Sequence, residues 1–244
     1  MTHEEALQEL RNVIKRDWSS YIQFTKDSFE EYHEGMTKEN HDRHNEDGEY
    51  QSAFMELVRN NKDSFQGKKA LDFGCGCGRN IKNLLDLNIF AQVDGCDISK
   101  KNIEYSKKFV ETDHPGKTHT WETNGYTLEP APDNEYDFIM SHIVFQHIAN
   151  WSIRYSLLAD IYRILKPKGA VVLHFMDLGG SVAYNDDYPD PGETKPPLGL
   201  YNCRVEDKKH LIEDFEEIGF LNVSVGEGED PFSQQKSYYV RGTK

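Results

Sequence analysis

The segment 70–80 constrains the fold of this chain more than any other part of it. A short apolar run ends in an acidic residue, Asp72, and three glycines, Gly74, Gly76 and Gly78, follow at alternate positions before an amphipathic segment. This pattern predicts a strand, a tight turn and a helix. Glycine lets the backbone approach a ligand closely, and the start of a helix presents unpaired N–H groups. The turn is therefore predicted to hold a ligand.

Two common ligand loops do not fit this segment. A phosphate-binding loop needs a Gly-Lys-Ser/Thr ending, whereas Arg79 and Asn80 follow Gly78 here. A dinucleotide-binding fingerprint, G-x-G-x-x-G, needs its third glycine at the position of Arg79. The remaining pattern, an acid at the end of a strand followed by G-x-G-x-G, resembles that of the class I S-adenosylmethionine-dependent methyltransferases.

Two further motifs support this resemblance. The run 91–99 predicts the next strand, and it ends in Asp97, nineteen residues after Gly78, where that family places the acid that binds the ribose hydroxyls. Far from the glycine loop, a Leu-Lys-Pro-x-Gly sequence at 165–169 precedes a buried apolar run, as it does at the entry to the family's fifth strand.

The resemblance implies S-adenosyl-L-methionine as the cofactor and a set of residues that bind it. Asp72 is expected to support the glycine loop, the three glycines to admit the methionine moiety, and Asp97 to bind the ribose. Asn124 is expected at the edge of the adenine ring, and Gly125 permits close approach there. The predicted cofactor-binding residues are Asp72, Gly74, Cys75, Gly76, Gly78, Asp97, Ile98, Asn124, Gly125, Ser141 and His142.

Two histidines follow the predicted fourth strand, 136–141. The family often has a histidine where His147 stands, and His142 comes directly after the strand. In an open parallel sheet, ligands bind beyond the carboxyl ends of strands at the switch in strand order, so both are predicted near the chemistry. A hydroxyl acceptor would benefit from an imidazole base, whereas an amine that binds already neutral would need none. His147 is the first catalytic candidate and His142 the second; the alternative is that both only shape the loop.

Strands and helices alternate regularly from Lys69 onward, which predicts an α/β fold with a mostly parallel sheet. The resemblance implies a Rossmann-like methyltransferase sheet with an antiparallel terminal strand. Residues 1–66 carry helical periodicity and are predicted to form a helical N-terminal cap on the methyltransferase domain, 67–244. Within the cap, the polar run 37–48 is either a solvated linker or a lid whose Arg43 pairs with the methionine carboxylate. The Gly-, Pro- and Tyr-rich segment 178–202 is predicted to be a substrate-loop insertion.

Charge and hydropathy restrict the partners. The chain has 42 acidic and 28 basic residues and a formal net charge of −14. Nucleic-acid binders usually carry a basic surface, so no nucleic-acid partner is predicted. There is no run of 18 apolar residues and no basic-then-apolar leader, which predicts a cytoplasmic protein without membrane contact. No metal is predicted, because no second Cys/His pair at zinc spacing completes the Cys75–Cys77 pair.

Absent motifs narrow the acceptor. No Asn/Asp-Pro-Pro-Tyr/Phe run follows the fourth strand, as in amino-group methyltransferases of adenine or glutamine, and no Pro-Cys pair is present. The fourth strand ends in Ser141 rather than an aspartate, which disfavours the magnesium-dependent catechol type. A small-molecule O or N acceptor is therefore predicted. A nicotinamide (NAD)-dependent oxidoreductase and a non-catalytic S-adenosylmethionine-binding regulatory protein remain as alternatives.

Overall fold

The computed structural model describes residues 2–34, 52–177, 182–187, 202–229 and 236–244. Their strands are β1 (Lys69–Phe73), β2 (Gln92–Asp97), β3 (Thr120–Glu122), β4 (Tyr136–Ser141), β5 (Leu165–Met176), β6 (Val182–Ala183), β7 (Cys203–Arg204), β8 (Leu221–Glu229) and β9 (Lys236–Thr243). Seven of them form one sheet in the order β3-β2-β1-β4-β5-β9-β8. β1 to β5 pair in parallel, and β9 is antiparallel to both β5 and β8. The prediction of a mostly parallel sheet with an antiparallel terminal strand is confirmed.

Helices occupy the connections. They are α1 (His3–Asp17), α2 (Ser19–Glu34), α3 (Ser52–Asn60), α4 (Lys62–Phe65), α5 (Arg79–Asp86), α6 (Lys100–Asp113), α7 (Trp151–Ile164) and α8 (Lys208–Ile218), with a short 3-10 turn at Phe145–His147. Local sequence explains several ends. Thr2 and Glu5 form the predicted capping box at α1, and the Ser99 hydroxyl accepts the Asn102 N–H at α6. Gly219 ends α8 in the left-handed conformation that glycine favours.

Two apolar clusters cover the two faces of the sheet. Successive residues of a strand point to opposite faces, and Ile139 belongs to one cluster while its neighbours Phe138 and Met140 belong to the other. Ile14 of α1 and Tyr21 of α2 join the cluster of Ile139, and α3 and α4 contribute to the other. The helices described within 1–66 therefore pack on both faces of the sheet.

A buried carboxylate fixes α1 to the body of the protein. Asp160 of α7 accepts Arg11 at 2.7 Å, Arg163 at 2.9 Å and the Leu128 N–H at 2.6 Å. Burial by itself raises the pKa of Asp160, but these donors outweigh it and hold the pKa below its ordinary value. The network sets the position of α1 and therefore of α2, which follows it after a single residue.

One boundary differs from the sequence prediction in a way that the tertiary structure explains. β5 begins at Leu165, which pairs with Tyr136 of β4, so the Leu-Lys-Pro-x-Gly sequence that was expected to precede the strand belongs to it. Within it, Lys168 N–H donates to the Lys244 carbonyl at 2.7 Å and Lys244 N–H donates to the Gly169 carbonyl at 3.1 Å. Residues 37–48 and most of 178–202 lie outside the described residues. No helix in the described ranges is long and apolar enough to cross a lipid bilayer.

Candidate functional site

A cavity of about 200 Å³ lies where the strand order reverses, at the carboxyl ends of β1, β2 and β4. This is the position at which open α/β sheets bind ligands. The described residues that line it are Tyr21, Ile22, Thr25, Phe29, Phe73, Gly74, Gly76, Asp97, Ile98, Asn102, Thr123, Gly125, Ile143, Val144, His147, Ile148, Ile153 and Leu157. Of the predicted site residues, Gly74, Gly76, Asp97, Ile98, Gly125 and His147 are brought together here.

The three glycines of the loop after β1 have different structural roles. All three have positive φ, at +70° for Gly74, +50° for Gly76 and +91° for Gly78. A Cβ at Gly74 would stand 2.3 Å from Val144, so this glycine allows the segment after β4 to approach. A Cβ at Gly76 would meet nothing within 4 Å, and its space belongs to the cavity. Gly78 lies outside the lining and instead precedes α5, where Ser106 packs closely against it.

Asp97 joins the end of β2 to the glycine loop. Its carboxylate accepts the Gly76 N–H at 3.0 Å, the Ser99 N–H at 2.8 Å and the Asn102 amide at 3.1 Å. Burial raises the pKa of Asp97, and these hydrogen bonds oppose the shift. The Ile98 N–H also acts against the rise in the pKa of Asp97, so several donors hold the carboxylate rigidly where it lines the cavity.

Asp72 does not support the glycine loop through hydrogen bonds. Its side chain is fully buried, and neither oxygen has a hydrogen-bond partner of normal geometry among the described residues. Burial raises its pKa to about 8, Asp97 reinforces the shift, and the nearby Arg79 and Asn80 side chains oppose it. A buried carboxyl group in this state needs either a proton or a cationic partner.

Asn124 is directed away from the cavity. Its Oδ1 accepts the Tyr126 N–H at 3.0 Å and the Thr127 N–H at 2.8 Å, and its amide donates to the Thr127 hydroxyl at 2.7 Å. These bonds form a turn within the loop and use both ends of the amide. The loop instead offers Gly125 to the cavity, where an added Cβ would come within 2.7 Å of Ile22 and 3.0 Å of Ile98.

Three other predicted site residues, Cys75, Ser141 and His142, are not among the residues that line the cavity. Cys75 is buried with its Sγ directed at the Gly76 carbonyl, and burial raises the pKa of its thiol well above the ordinary value. The Ser141 hydroxyl donates to the Phe73 carbonyl at 2.9 Å, which joins β4 to β1. His142 is buried with its ring centroid 4.8 Å from that of His174, so it packs on the sheet and does not line the cavity.

His147 lines the cavity from the 3-10 turn after β4. Its Nδ1 lies 3.0 Å from Oδ1 of Asn202, and the Phe29 ring meets it edge to face with centroids 5.8 Å apart. Tyr21 fixes the backbone of the turn, since its hydroxyl accepts the Ala149 N–H at 2.8 Å. Burial lowers the pKa of His147, and the bond to Asn202 opposes the shift. The imidazole is therefore neutral near pH 7.

Helix α2 covers the cavity, and the sequence analysis did not identify this role. Tyr21, Thr25 and Phe29 are spaced at i, i+4 and i+8 and face the cavity together with Ile22. This spacing was the available signal. An ion pair between Lys26 and Glu122 fastens the helix to the end of β3, and Glu30 accepts the Lys100 N–H at 3.3 Å. The polar run 37–48, for which a linker and a lid were the alternatives, lies outside the described residues.

Comparison with known proteins identifies the domain. The family of methyltransferase domains matches residues 71–173. An uncharacterised protein of Haemophilus influenzae is 29% identical over 111 residues, which are 45% of this chain and 42% of that protein. One of Rickettsia prowazekii is 25% identical over 133 residues, 54% of this chain and 52% of that protein. The chain thus spans about half the length of the curated relatives it matches.

Solved structures show the same fold. A methyltransferase from Methanosarcina mazei has a TM-score of 0.59 at 19% identity, with 77% of this chain and 96% of that chain covered. A phosphoethanolamine N-methyltransferase from Haemonchus contortus, solved with S-adenosyl-L-methionine, has a TM-score of 0.58 at 18% identity, with 78% and 51% covered. Together with the matched family, this fold confirms the prediction made from the glycine loop and Asp97. Residues 71–173 match the family of methyltransferase domains, and the sheet has the fold of solved S-adenosylmethionine-dependent methyltransferases.

Proposed function

We propose that this protein transfers the methyl group of S-adenosyl-L-methionine to a small, neutral acceptor with a largely apolar body, at an oxygen or nitrogen atom. The observation that carries the proposal is the composition of one cavity. It joins the glycine loop and Asp97 on one side to the apolar face of α2 and to His147 on the other. A single enclosed space can therefore hold a cofactor and an acceptor in contact.

The residues present fit the cofactor. The open space over Gly76 accommodates a ligand against the backbone, and the carboxylate of Asp97 lines the same cavity, where it can accept a ribose hydroxyl. When bound, S-adenosylmethionine supplies an electrophilic methyl group, so the main task of the protein is to align the acceptor with it.

The lining favours an uncharged acceptor. Among the described lining residues there is no lysine or arginine, and the ionisable side chains are those of Tyr21, Asp97 and His147. A phosphate or carboxylate on the acceptor would therefore enter an apolar space without a countercharge, which is costly. The net charge of −14 likewise supports a small molecule over a nucleic acid.

Calorimetry with S-adenosylhomocysteine tests the cofactor half of the proposal. Asp97→Ala should weaken binding by about 1–3 kcal/mol, the range for hydrogen bonds to a charged group. Glu104→Ala, which removes an exposed carboxylate from α6, is the matched control and should leave the affinity unchanged. Unchanged affinity in a folded Asp97→Ala protein would remove Asp97 from the site. If the wild type binds NAD and does not bind S-adenosylhomocysteine in the same calorimetry, the alternative of an NAD-dependent oxidoreductase is favoured.

Incubation of cell extracts with methyl-labelled cofactor tests the acceptor half. Label should enter small, neutral molecules that extract into organic solvent. Label found only in macromolecules would contradict the small acceptor. Tight binding of S-adenosylhomocysteine without transfer to any fraction would favour the non-catalytic regulatory protein.

A further inference from the structure

We propose that Asn202 is a positioning residue that holds His147 as the Nδ1–H tautomer, leaving Nε2 to accept a proton from a hydroxyl group on the acceptor. The inference deepens the proposed function and rests on it. It assigns a role to a residue at the end of the 178–202 segment, and it selects oxygen over nitrogen as the atom that is methylated.

The hydrogen bond between the two side chains carries the first step. Oδ1 of Asn202 lies 3.0 Å from Nδ1 of His147. A carbonyl oxygen only accepts hydrogen bonds, so Nδ1 must carry the proton. A neutral imidazole has one N–H, and Nε2 is therefore left with its lone pair.

The surroundings of His147 leave that lone pair available. Its hydrogen bonds to the described residues are made by the backbone and by Nδ1, and Nε2 has no partner among them. The neighbouring Phe29 ring contributes no competing hydrogen bond. Because burial also keeps the imidazole neutral, Nε2 can take up a proton near pH 7.

The buried guanidinium of Arg154 connects the chain segments that carry His147 and Asn202. Arg154 of α7 is fully buried and donates to the carbonyl of Ile148, next to His147, and to the carbonyl of Tyr184, next to β6. β6 pairs with β7, and Asn202 is the residue directly before β7. Arg154 thus ties together the two segments that carry the pair.

The tyrosine that Arg154 contacts is itself anchored. The Tyr184 hydroxyl donates to Asp214 at 2.8 Å, and the Trp151 indole donates to the same carboxylate at 3.0 Å. Tyr184 is therefore held by buried hydrogen bonds at both its carbonyl and its hydroxyl. Such a supporting network is what a positioned catalytic base requires.

In the proposed step His147 accepts one proton, and a carbon–oxygen bond replaces a carbon–sulfur bond. His147 Nε2 takes the hydroxyl proton while the acceptor oxygen forms its bond to the methyl carbon and the bond from that carbon to sulfur breaks. The sulfonium becomes a neutral thioether, and the imidazolium keeps its Nδ1–H bond to Asn202. Nε2 then releases the proton to solvent.

Nitrogen NMR of the full chain labelled at its ten histidines tests the tautomer without any turnover. The His147 signals are assigned by their loss in His147→Gln. We expect a protonated Nδ1 and an unprotonated Nε2 in the wild type and in Asn202→Asp, and loss of this preference in Asn202→Ala. Asn185→Ala is the matched control, because it breaks an Asn–His contact of 2.9 Å, to His210, on the surface of the same segment. A protonated Nε2 in the wild type, or an unchanged tautomer in Asn202→Ala, would overturn the proposal.

Kinetics with the acceptors found by labelling give the second readout. Asn202→Ala should lower kcat about 10- to 100-fold, part of the 10²–10⁴-fold that a general base typically provides. Asn202→Asp should recover much of it, and Asn185→Ala should leave it unchanged. The acid limb of kcat should move to lower pH in Asn202→Ala, because the bond to Asn202 raises the pKa of His147, and to higher pH in Asn202→Asp.

An acceptor methylated at nitrogen at a rate insensitive to both residues would refute the choice of oxygen. Failure of the proposed function itself would appear separately, as a wild type that does not bind S-adenosylhomocysteine.

Discussion

The two halves of the cavity are built in opposite ways. The half at the sheet edge comes mainly from Gly74 and Gly76, in the loop after β1, and from Asp97 at the end of β2, all within 24 consecutive positions. The half under α2 combines Tyr21 to Phe29, the turn with His147, and Asn202, which are far apart in the chain. The first half needs special residues, and the second is assembled from ordinary ones.

The physical requirements explain this contrast. A loop with positive φ at three alternate positions is strained for most side chains, so the need for it is visible as glycine. A tyrosine, a phenylalanine or a histidine that faces a cavity looks in the sequence like one that faces the core. Substitutions in the two halves should therefore separate cofactor binding from transfer.

The largest effect is expected at His147. His147→Ala should lower turnover by about 10²–10⁴-fold, because it removes the base from the acceptor half. The affinity for S-adenosylhomocysteine should stay within a few-fold, since Asp97 and the glycine loop are untouched. His142→Ala should cost less, because His142 packs against His174 behind the lining. Turnover that hardly changes in His147→Ala would leave alignment as the catalytic device.

A somewhat smaller effect is expected at Asp72, on stability. The folded-state pKa of about 8 lies above the ordinary value of 3.8, so its contribution to stability is fully present below about pH 4 and is lost as the pH rises through about 8. At about 1.4 kcal/mol per pKa unit, the wild type should lose roughly 4 kcal/mol relative to Asp72→Asn between pH 5 and pH 9. Denaturant unfolding of both proteins without cofactor measures this difference. Parallel pH profiles would show that Asp72 is ionised in the folded protein at pH 5.

The smallest effect is expected at the ion pair that holds α2 over both halves. Lys26 and Glu122 are partly exposed, and such pairs contribute about 0–1 kcal/mol. Lys26→Met should change unfolding by no more than that and should weaken S-adenosylhomocysteine only a few-fold, because Ile22 still packs on Gly125. Lys209→Met removes an exposed ion pair with Glu213 on α8 and is the control. A large loss of affinity in Lys26→Met alone would make the ion pair, and not apolar packing, the main hold on α2.

Individual residues show which features of the structure the sequence predicts and which it does not. The alternation of strands and helices from Lys69 onward follows from local patterns and was predicted. Asn124 was expected at the adenine but turns back to bond its own loop, because Asx turns satisfy such amides locally. Asn202 could not be predicted, since nothing in its sequence surroundings indicates that Arg154 and β6 bring it to His147.

The sequence by itself determined the parallel sheet, the glycine loop and the acid at the end of β2. Each follows from backbone geometry that only certain residue types permit over a few neighbouring positions. The tertiary structure decided which helix covers the cavity, which histidine faces it and what holds that histidine. These features depend on contacts between distant segments, where packing, burial and a buried guanidinium select the arrangement and where many residue types would satisfy the local chain equally well.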